Sequence, residues 1–173
     1  MGAALSDLLT TRGAVIDGAY RYCLTRDLGM AGRSAAIVMI NPSTADAEED
    51  DHTIRKLYGF AVRNGIGRFT VVNKFALRSK DVAALRRAKD PVGPLNDTWI
   101  ARAVDDNDIV IVAWGALVKV PPGPLRDRWR TVVAIIEASG KPMLCLQSCG
   151  DGHPCHPLMR AYDTPLVPWV PPT

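Results

Sequence analysis

Four apolar runs punctuate the chain, and each stops on a polar residue or a glycine. The first covers residues 35–40 and ends on Asn41-Pro42; the second, 68–74, has the dense centre Phe69-Thr70-Val71-Val72 and ends on Asn73. The third, 108–115, closes on Trp114-Gly115, and the short fourth, 143–146, runs into Gln147-Ser148. A short continuous apolar run bounded by turn residues reads as a strand buried on both faces. Pro42 has no N–H to give to a sheet ladder, so the first strand must end there. Residues 19–26 alternate instead, which predicts a half-exposed antiparallel strand at a sheet edge.

Helical spacing takes over between these runs. Ile54, Leu57, Tyr58 and Ala61 predict a helix over 54–64, capped by Thr53 and stopped by Asn64-Gly65. Asp81 can cap a short helix to Arg87. Asn96 or Asp97 opens another through Trp99, Ile100, Ala103 and Val104, and 125–138 carries Trp129, Val132, Val133 and Ile136 on one side. Residues 1–18 read as an arm or short helix. Residues 165–173, with four of the thirteen prolines, read as an extended tail. Strands separated by helices imply right-handed crossovers and a mainly parallel sheet. The expectation is one α/β domain over 1–173, a three-layer α/β/α arrangement with a four-stranded central sheet and an N-terminal edge strand. Ligands of such sheets bind at the carboxyl ends of the strands. Asn41, Asn73, Trp114-Gly115 and Gln147-Ser148 would then share one rim.

Composition narrows this picture. A hydrophobic content of 47% is ordinary for a soluble globular chain. No apolar run reaches the ~18 residues of a membrane span, and the N-terminus lacks a signal-peptide pattern. A cytoplasmic protein without membrane contact is expected. The formal net charge of +3 permits nucleic-acid binding without demanding it. Basic residues cluster at Arg63 and Arg68, at Lys74, Arg78 and Lys80, at Arg86, Arg87 and Lys89, and at Arg126, Arg128 and Arg130. Four cysteines in a chain of this length do not read as a disulfide framework. There is no Walker loop and no G-x-G-x-x-G, and Gly65-Ile66-Gly67 precedes a strand rather than following one. No nucleotide cofactor is expected.

Two polar stretches carry candidate chemistry. After Asn41 come Ser43, Thr44, Asp46, Glu48, Glu49, Asp50, Asp51, His52 and Thr53; taken alone they read as a solvated acidic loop. The second stretch, 149–158, holds Cys149, His153, Cys155 and His156. These are zinc-ligand types, but there is no paired C-x-x-C, so no metal is expected. Cys155 beside His156 is a possible thiol nucleophile, although adjacent side chains diverge. A histidine that donates to a developing anion is the other functional reading.

These residues resemble known families. Asn41-Pro42-Ser43 after an apolar strand is similar to the first motif of the uracil-DNA glycosylase superfamily, especially its mismatch-specific branch. The strand ending at Asn73, the strand over 108–115 and the His-Pro-Cys-His-Pro-Leu segment over 153–158 resemble, in order, its next strand, its central strand and its second motif. A closer resemblance is to a bacterial and phage family first catalogued as a domain of unknown function. Its pattern is matched by Arg21-Tyr22-Cys23-Leu24, by residues 41–46 and 50–55, by Trp114-Gly115 and by 152–158. His52 stands where that family often has proline. Some relatives are anti-phage glycosylases that remove glucosylated hydroxymethylcytosine.

The resemblance implies a uracil-DNA glycosylase-like fold and a monofunctional, cofactor-free DNA glycosylase. It would act as a monomer on double-stranded DNA carrying a modified, flipped-out base, in anti-phage defence. Asn41 would position the water and Asp51, or else Asp50, would supply the carboxylate. His156, preferred over His153, would stabilise the departing base. Pro42, Ser43, Asn73, Phe75, Trp114 and His153 would line the substrate site, with Asn73 reading the base edge and Phe75 stacking on it. Lys74, Arg78 and Lys80 would grip DNA, and Leu158, Met159 and Arg160 would supply the wedge that flipping requires. A non-catalytic reader of modified DNA or nucleotides and a base-modifying enzyme are the alternatives. An Asp51 that reaches the Asn41 water favours hydrolysis; an Asp51 spent on capping the helix favours the reader.

Overall fold

A computed structural model describes residues 12–173. Seven strands form one sheet: β1 (Gly13–Asp17), β2 (Tyr20–Asp27), β3 (Arg33–Met39), β4 (Ile66–Asn73), β5 (Ile109–Val112), β6 (Met143–Cys145) and β7 (Val167–Pro168). Their order is β1-β2-β4-β3-β5-β6-β7. The four strands expected from the apolar runs lie together, β4-β3-β5-β6, with parallel pairing throughout. β1 and β2 join one edge and β7 the other, all antiparallel. The protein is thus mixed α/β, with seven strands among the described residues where five were expected.

Strand alternation sends successive side chains to opposite faces, and the two faces carry separate cores. Ala35, Ile37 and Met39 of β3 join Phe69 and Val71 of β4 against α1 (His52–Arg63), through Ile54, Leu57 and Ala61. Ala36 and Val38 join Val72, Val110 and Val112 against α2 (Asn96–Asp105) and α3 (Arg128–Ala138). Helices therefore cover both faces. This two-sided cover is why the central strands read as continuous apolar runs.

Several expectations need correction. The strand at 19–26 is not a half-exposed edge: β2 is buried along nearly its whole length and pairs with β1 and β4. Its two charged residues within the strand, Arg21 and Arg26, are both buried. Arg26 donates through Nε to Asp50 at 2.8 Å and through Nη2 to the Asp46 carbonyl. Arg21 donates to the Ala45 carbonyl at 2.7 Å. The cap of α1 is Asp51, not Thr53: Asp51 Oδ1 accepts from Ile54 N–H at 2.9 Å. Residues 13–17, taken as arm or helix, are a strand, while 1–11 lie outside the described residues. The proline-rich tail is extended and pairs with β6, and its Trp169 is buried edge-on against Trp114. The segment after Asp81 is a 3-10 helix, Val82–Arg87. Among the described residues no helix is long and apolar enough to cross a membrane.

Candidate functional site

β3 and β4 run in register, with Met39 opposite Asn73. Asn73 follows Val71 on the α1 face. The N-terminus of α1 comes down over this rim and brings Asp51 with it. A cavity of about 160 Å3 opens where these elements meet. Asn41, Ser43, Asp51, Asn73, Lys80 and His156 all line it, together with Arg21.

Each polar group is positioned by its backbone. The Asn41 carboxamide donates to the carbonyls of Ser79 at 2.9 Å and Pro42 at 3.1 Å. Ser79 N–H returns a bond to Pro42 O at 2.9 Å. These bonds lock the carboxamide nitrogen onto the loop, and Oδ1 accepts from no described residue. Asp51 uses Oδ1 for the helix cap, and its Oδ2 likewise accepts from no described residue. Two buried donors on cavity-lining residues also lack partners among the described residues: Arg21 Nε and Asn73 Nδ2. Buried polar groups are almost always paired, so unpaired donors on residues lining a cavity mark where a ligand or water supplies acceptors.

His156 sets the electrostatics on the opposite wall. Its Nδ1 accepts from Leu158 N–H at 3.2 Å. A ring nitrogen that accepts is unprotonated, so Nε2 carries the proton and is the available donor. Burial lowers the His156 pKa below its ordinary 6.5, and the nearby Asp51 carboxylate partly offsets this. The ring is neutral at pH 7. Arg21 is also lowered, to about 10, by burial, again with Asp51 acting in the opposite sense. It remains a cation at pH 7. The Arg21 charge, the Asp51 charge and the neutral His156 donor therefore share one desolvated pocket.

Other expected site residues lie elsewhere. Asp50 belongs to a clamp, paired with Arg26 at 2.8 Å and Arg12 at 3.1 Å. Arg12 also holds the Ala47 and Glu48 carbonyls. The acidic loop is therefore fastened by two guanidinium groups rather than freely solvated. Phe75 cannot stack on a ligand: past Asn73 the chain leaves the ladder, and Phe75 packs into the core shared with α2 and α3. Lys74 is not at the surface; its ammonium is buried near Trp114 and Phe75. His153 accepts from Trp114 Nε1 at 3.3 Å and stacks edge-on against Trp129, so it braces the loop and does not reach the cavity. Pro42 is buried outside the cavity and contributes its carbonyl. Trp114 lines a second chamber of about 230 Å3 rather than the first. The two chambers share Ile40, Val82 and His156.

Lys80 is exposed at the cavity mouth, and Arg78 reaches toward the Thr44 carbonyl at 3.4 Å. Leu158 and Met159 are exposed one turn beyond His156. Arg160 is half-buried and bonded to Gln147 Oε1 at 2.8 Å, so its guanidinium braces the loop rather than forming a free tip. Cys149 and Cys155 form a disulfide. One bridge is not a disulfide framework, but it removes Cys155 as a thiol nucleophile. It also removes both sulfurs as thiolate ligands for zinc. Among the described residues no cluster of metal-ligand side chains is present.

Arg21 was not counted among the site residues. The available signal was the family pattern, in which Arg21-Tyr22-Cys23-Leu24 is one of the matched stretches. Gly115 is a second positioning residue. Its φ of +84° suits glycine, its N–H bonds Pro154 O at 2.8 Å, and a Cβ there would lie 3.5 Å from His156 Cβ. Gly115→Ala is expected to cost roughly 1–2 kcal/mol of stability from the left-handed backbone and to leave His156 in place, because 3.5 Å is an ordinary van der Waals contact. Chemical denaturation checks the first effect. An unchanged titration of the His156 ring, followed by NMR, checks the second.

A family model described as "Protein of unknown function (DUF1643)" matches residues 21–158. No curated protein and no solved structure matches the chain. The matched span runs from Arg21 in β2 to Leu158 beyond His156 and so contains every polar group that lines the cavity. The chain belongs to the DUF1643 family.

Proposed function

We propose that the protein is a DNA glycosylase that hydrolyses the N-glycosidic bond of a flipped-out modified base. The observation that supports this is the meeting of Asn41, Asp51 and the neutral His156 donor around one desolvated cavity that also presents unpaired buried donors. A volume near 160 Å3 equals about five waters, the scale of one heterocycle. The resemblance to anti-phage glycosylases points to glucosylated hydroxymethylcytosine.

In this reading Asn41 Oδ1 and Asp51 Oδ2 hold a water against the sugar. The water oxygen bonds to C1′, its proton passes to the carboxylate, and the glycosidic bond breaks with its electron pair leaving on the base. His156 Nε2–H donates to the base as that charge develops. Asn73 Nδ2 and Arg21 Nε, the unpaired donors, meet acceptors on the base edge.

One observation favours the reader instead: Asp51 does cap α1. Asp51→Asn separates the two readings, because asparagine caps a helix about as well as aspartate but accepts no proton. The hydrolase predicts that Asp51→Asn folds and binds DNA but loses excision. The reader predicts wild-type binding and no excision from either protein. The assay uses DNA bearing uracil, thymine mismatches, hydroxymethylcytosine or its glucosylated form, followed by alkali. Strand breaks on one substrate name the base; tight binding without breaks moves the assignment to the reader.

A further inference from the structure

The cavities at the rim form a series. The base-sized cavity shares Ile40, Val82 and His156 with the second chamber, and that chamber shares Lys119 with an open groove of about 360 Å3. The groove runs between the 3-10 helix Val82–Arg87 and the 3-10 turn Leu117–Lys119 with its following prolines. Arg86, Arg87 and Lys119 line it, and all three are exposed. Asp81 is the acidic residue near them and makes a loose pair with Arg87 at 3.9 Å between two largely exposed side chains. Among the described residues Arg86 and Lys119 have no ion pair. Val118, 70% exposed, and Pro121 and Pro122 add apolar surface to the same groove.

We propose that this groove holds a phosphodiester strand leading away from the nucleotide seated beside His156, so that the substrate is a polynucleotide rather than a free nucleoside. This rests on reading the cavity as a base pocket. Three cations along one open channel suit a chain of monoanionic phosphates, and exposed aliphatic surface between them suits sugars and base faces. An acidic peptide would also meet the cations. The continuity with a cavity of heterocycle size favours the nucleic acid.

The test is fluorescence anisotropy of a short labelled single strand of DNA over a salt series, with no cleavage required. Each phosphate contact to a single strand contributes about 0.7 to the slope of log K against log salt. Arg86→Gln with Arg87→Gln is expected to lower that slope by roughly 1.4. The charge-matched control is Arg33→Gln with Arg63→Gln, at the start of β3 and the end of α1 on the opposite rim, and it is expected to keep the wild-type slope. The proposal is overturned if the groove variant keeps the wild-type slope, if the control loses as much, or if wild-type protein does not bind at low salt. It is also overturned if poly-glutamate binds as tightly as DNA and weakens in parallel. Failure of excision on every base, with the slope result intact, removes the glycosylase reading alone. Intact excision with an unchanged slope removes the groove alone.

Discussion

On the proposed glycosylase reading, replacing His156 by alanine is expected to lower base excision by about 10²–10³-fold, the cost of losing one donor aimed at developing negative charge. The fold survives, because His156 is only partly buried and its loop is held independently. Gly115 N–H bonds Pro154 O, Cys149 and Cys155 are joined, and His153 is braced by Trp114 and Trp129. Asn41→Ala should lower excision as well, because the carboxamide oxygen that would hold the water is lost. Turnover by both variants equal to wild type would remove these roles. The pH profile gives a separate check. Burial depresses His156 below 6.5, so the neutral donor persists at pH 6.5 and above. On the same reading excision is expected to fall as the pH drops through that lowered value, when a protonated Nδ1 can no longer accept from Leu158 N–H. Single-turnover rates between pH 5 and 8 read this directly. An activity that instead rises as the pH falls assigns the acid role to an imidazolium and contradicts the tautomer described above.

Lys74→Met is expected to stabilise the protein by about 1–3 kcal/mol near pH 7, the cost of a buried polar group left without a partner. Lys74 is fully buried, and its Nζ has no hydrogen-bond partner among the described residues. Burial, with a smaller contribution from the Arg128 charge, lowers its pKa to about 7 from the ordinary 10.5. The Trp114 face, 5.3 Å away, compensates only in part. The sign of the pH dependence follows. Between pH 7 and 10.5 the unfolded chain binds a proton at this lysine that the folded chain does not. The stability contribution is therefore complete above 10.5 and is lost as the pH falls toward 7, with a slope approaching 1.4 kcal/mol per pH unit. Other groups narrow the useful window. Burial raises the Cys23 thiol to about 11 and also raises Cys145, which reverses the trend above pH 9. The lowered histidines act below 6.5. Urea unfolding at pH 7.5 and 8.5 isolates Lys74: wild-type stability should rise across that interval and the Lys74→Met profile should be flat. A steep profile in the variant would place the titrating group elsewhere.

The burial of Lys74 also illustrates the limit of local pattern. Beside Arg78 and Lys80 it read as one more phosphate-gripping cation, yet only Lys80 stands exposed at the cavity mouth. What separates them is where the chain leaves β4. Lys74 N–H bonds the Met39 carbonyl and Phe75 N–H bonds the Ile40 carbonyl, so both residues are carried past the end of β3 and turned into the α2–α3 core. Phe75 was assigned to the base for the same reason and lost to the same geometry. The two arginines of β2 fail in the opposite direction. A charged residue in an alternating strand reads as solvent-facing, but their partners are carbonyls and a carboxylate in the loop over 45–50, about twenty residues away in sequence.

The sequence by itself determined the parts governed by short-range chemistry. Apolar runs stopped by proline, asparagine and glycine located the four central strands and placed Asn41, Asn73 and Gly115 at their ends. Helical spacing located α1, α2 and α3. The shared direction of the strands then put Asn41, Asn73 and the histidine loop on one rim. The resemblance already preferred Asp51 to Asp50 and His156 to His153; only the tertiary structure decided why these members of each pair reach the cavity, since Arg12 and Arg26 hold Asp50 and Trp114 and Trp129 enclose His153. It also brought Arg21 into the site and joined Cys149 to Cys155. The physical reason is common to all of these. Backbone periodicity is a property of neighbouring residues, whereas the fate of a polar side chain depends on whichever distant group desolvates or pairs it, and that group is specified only once the sheet is assembled.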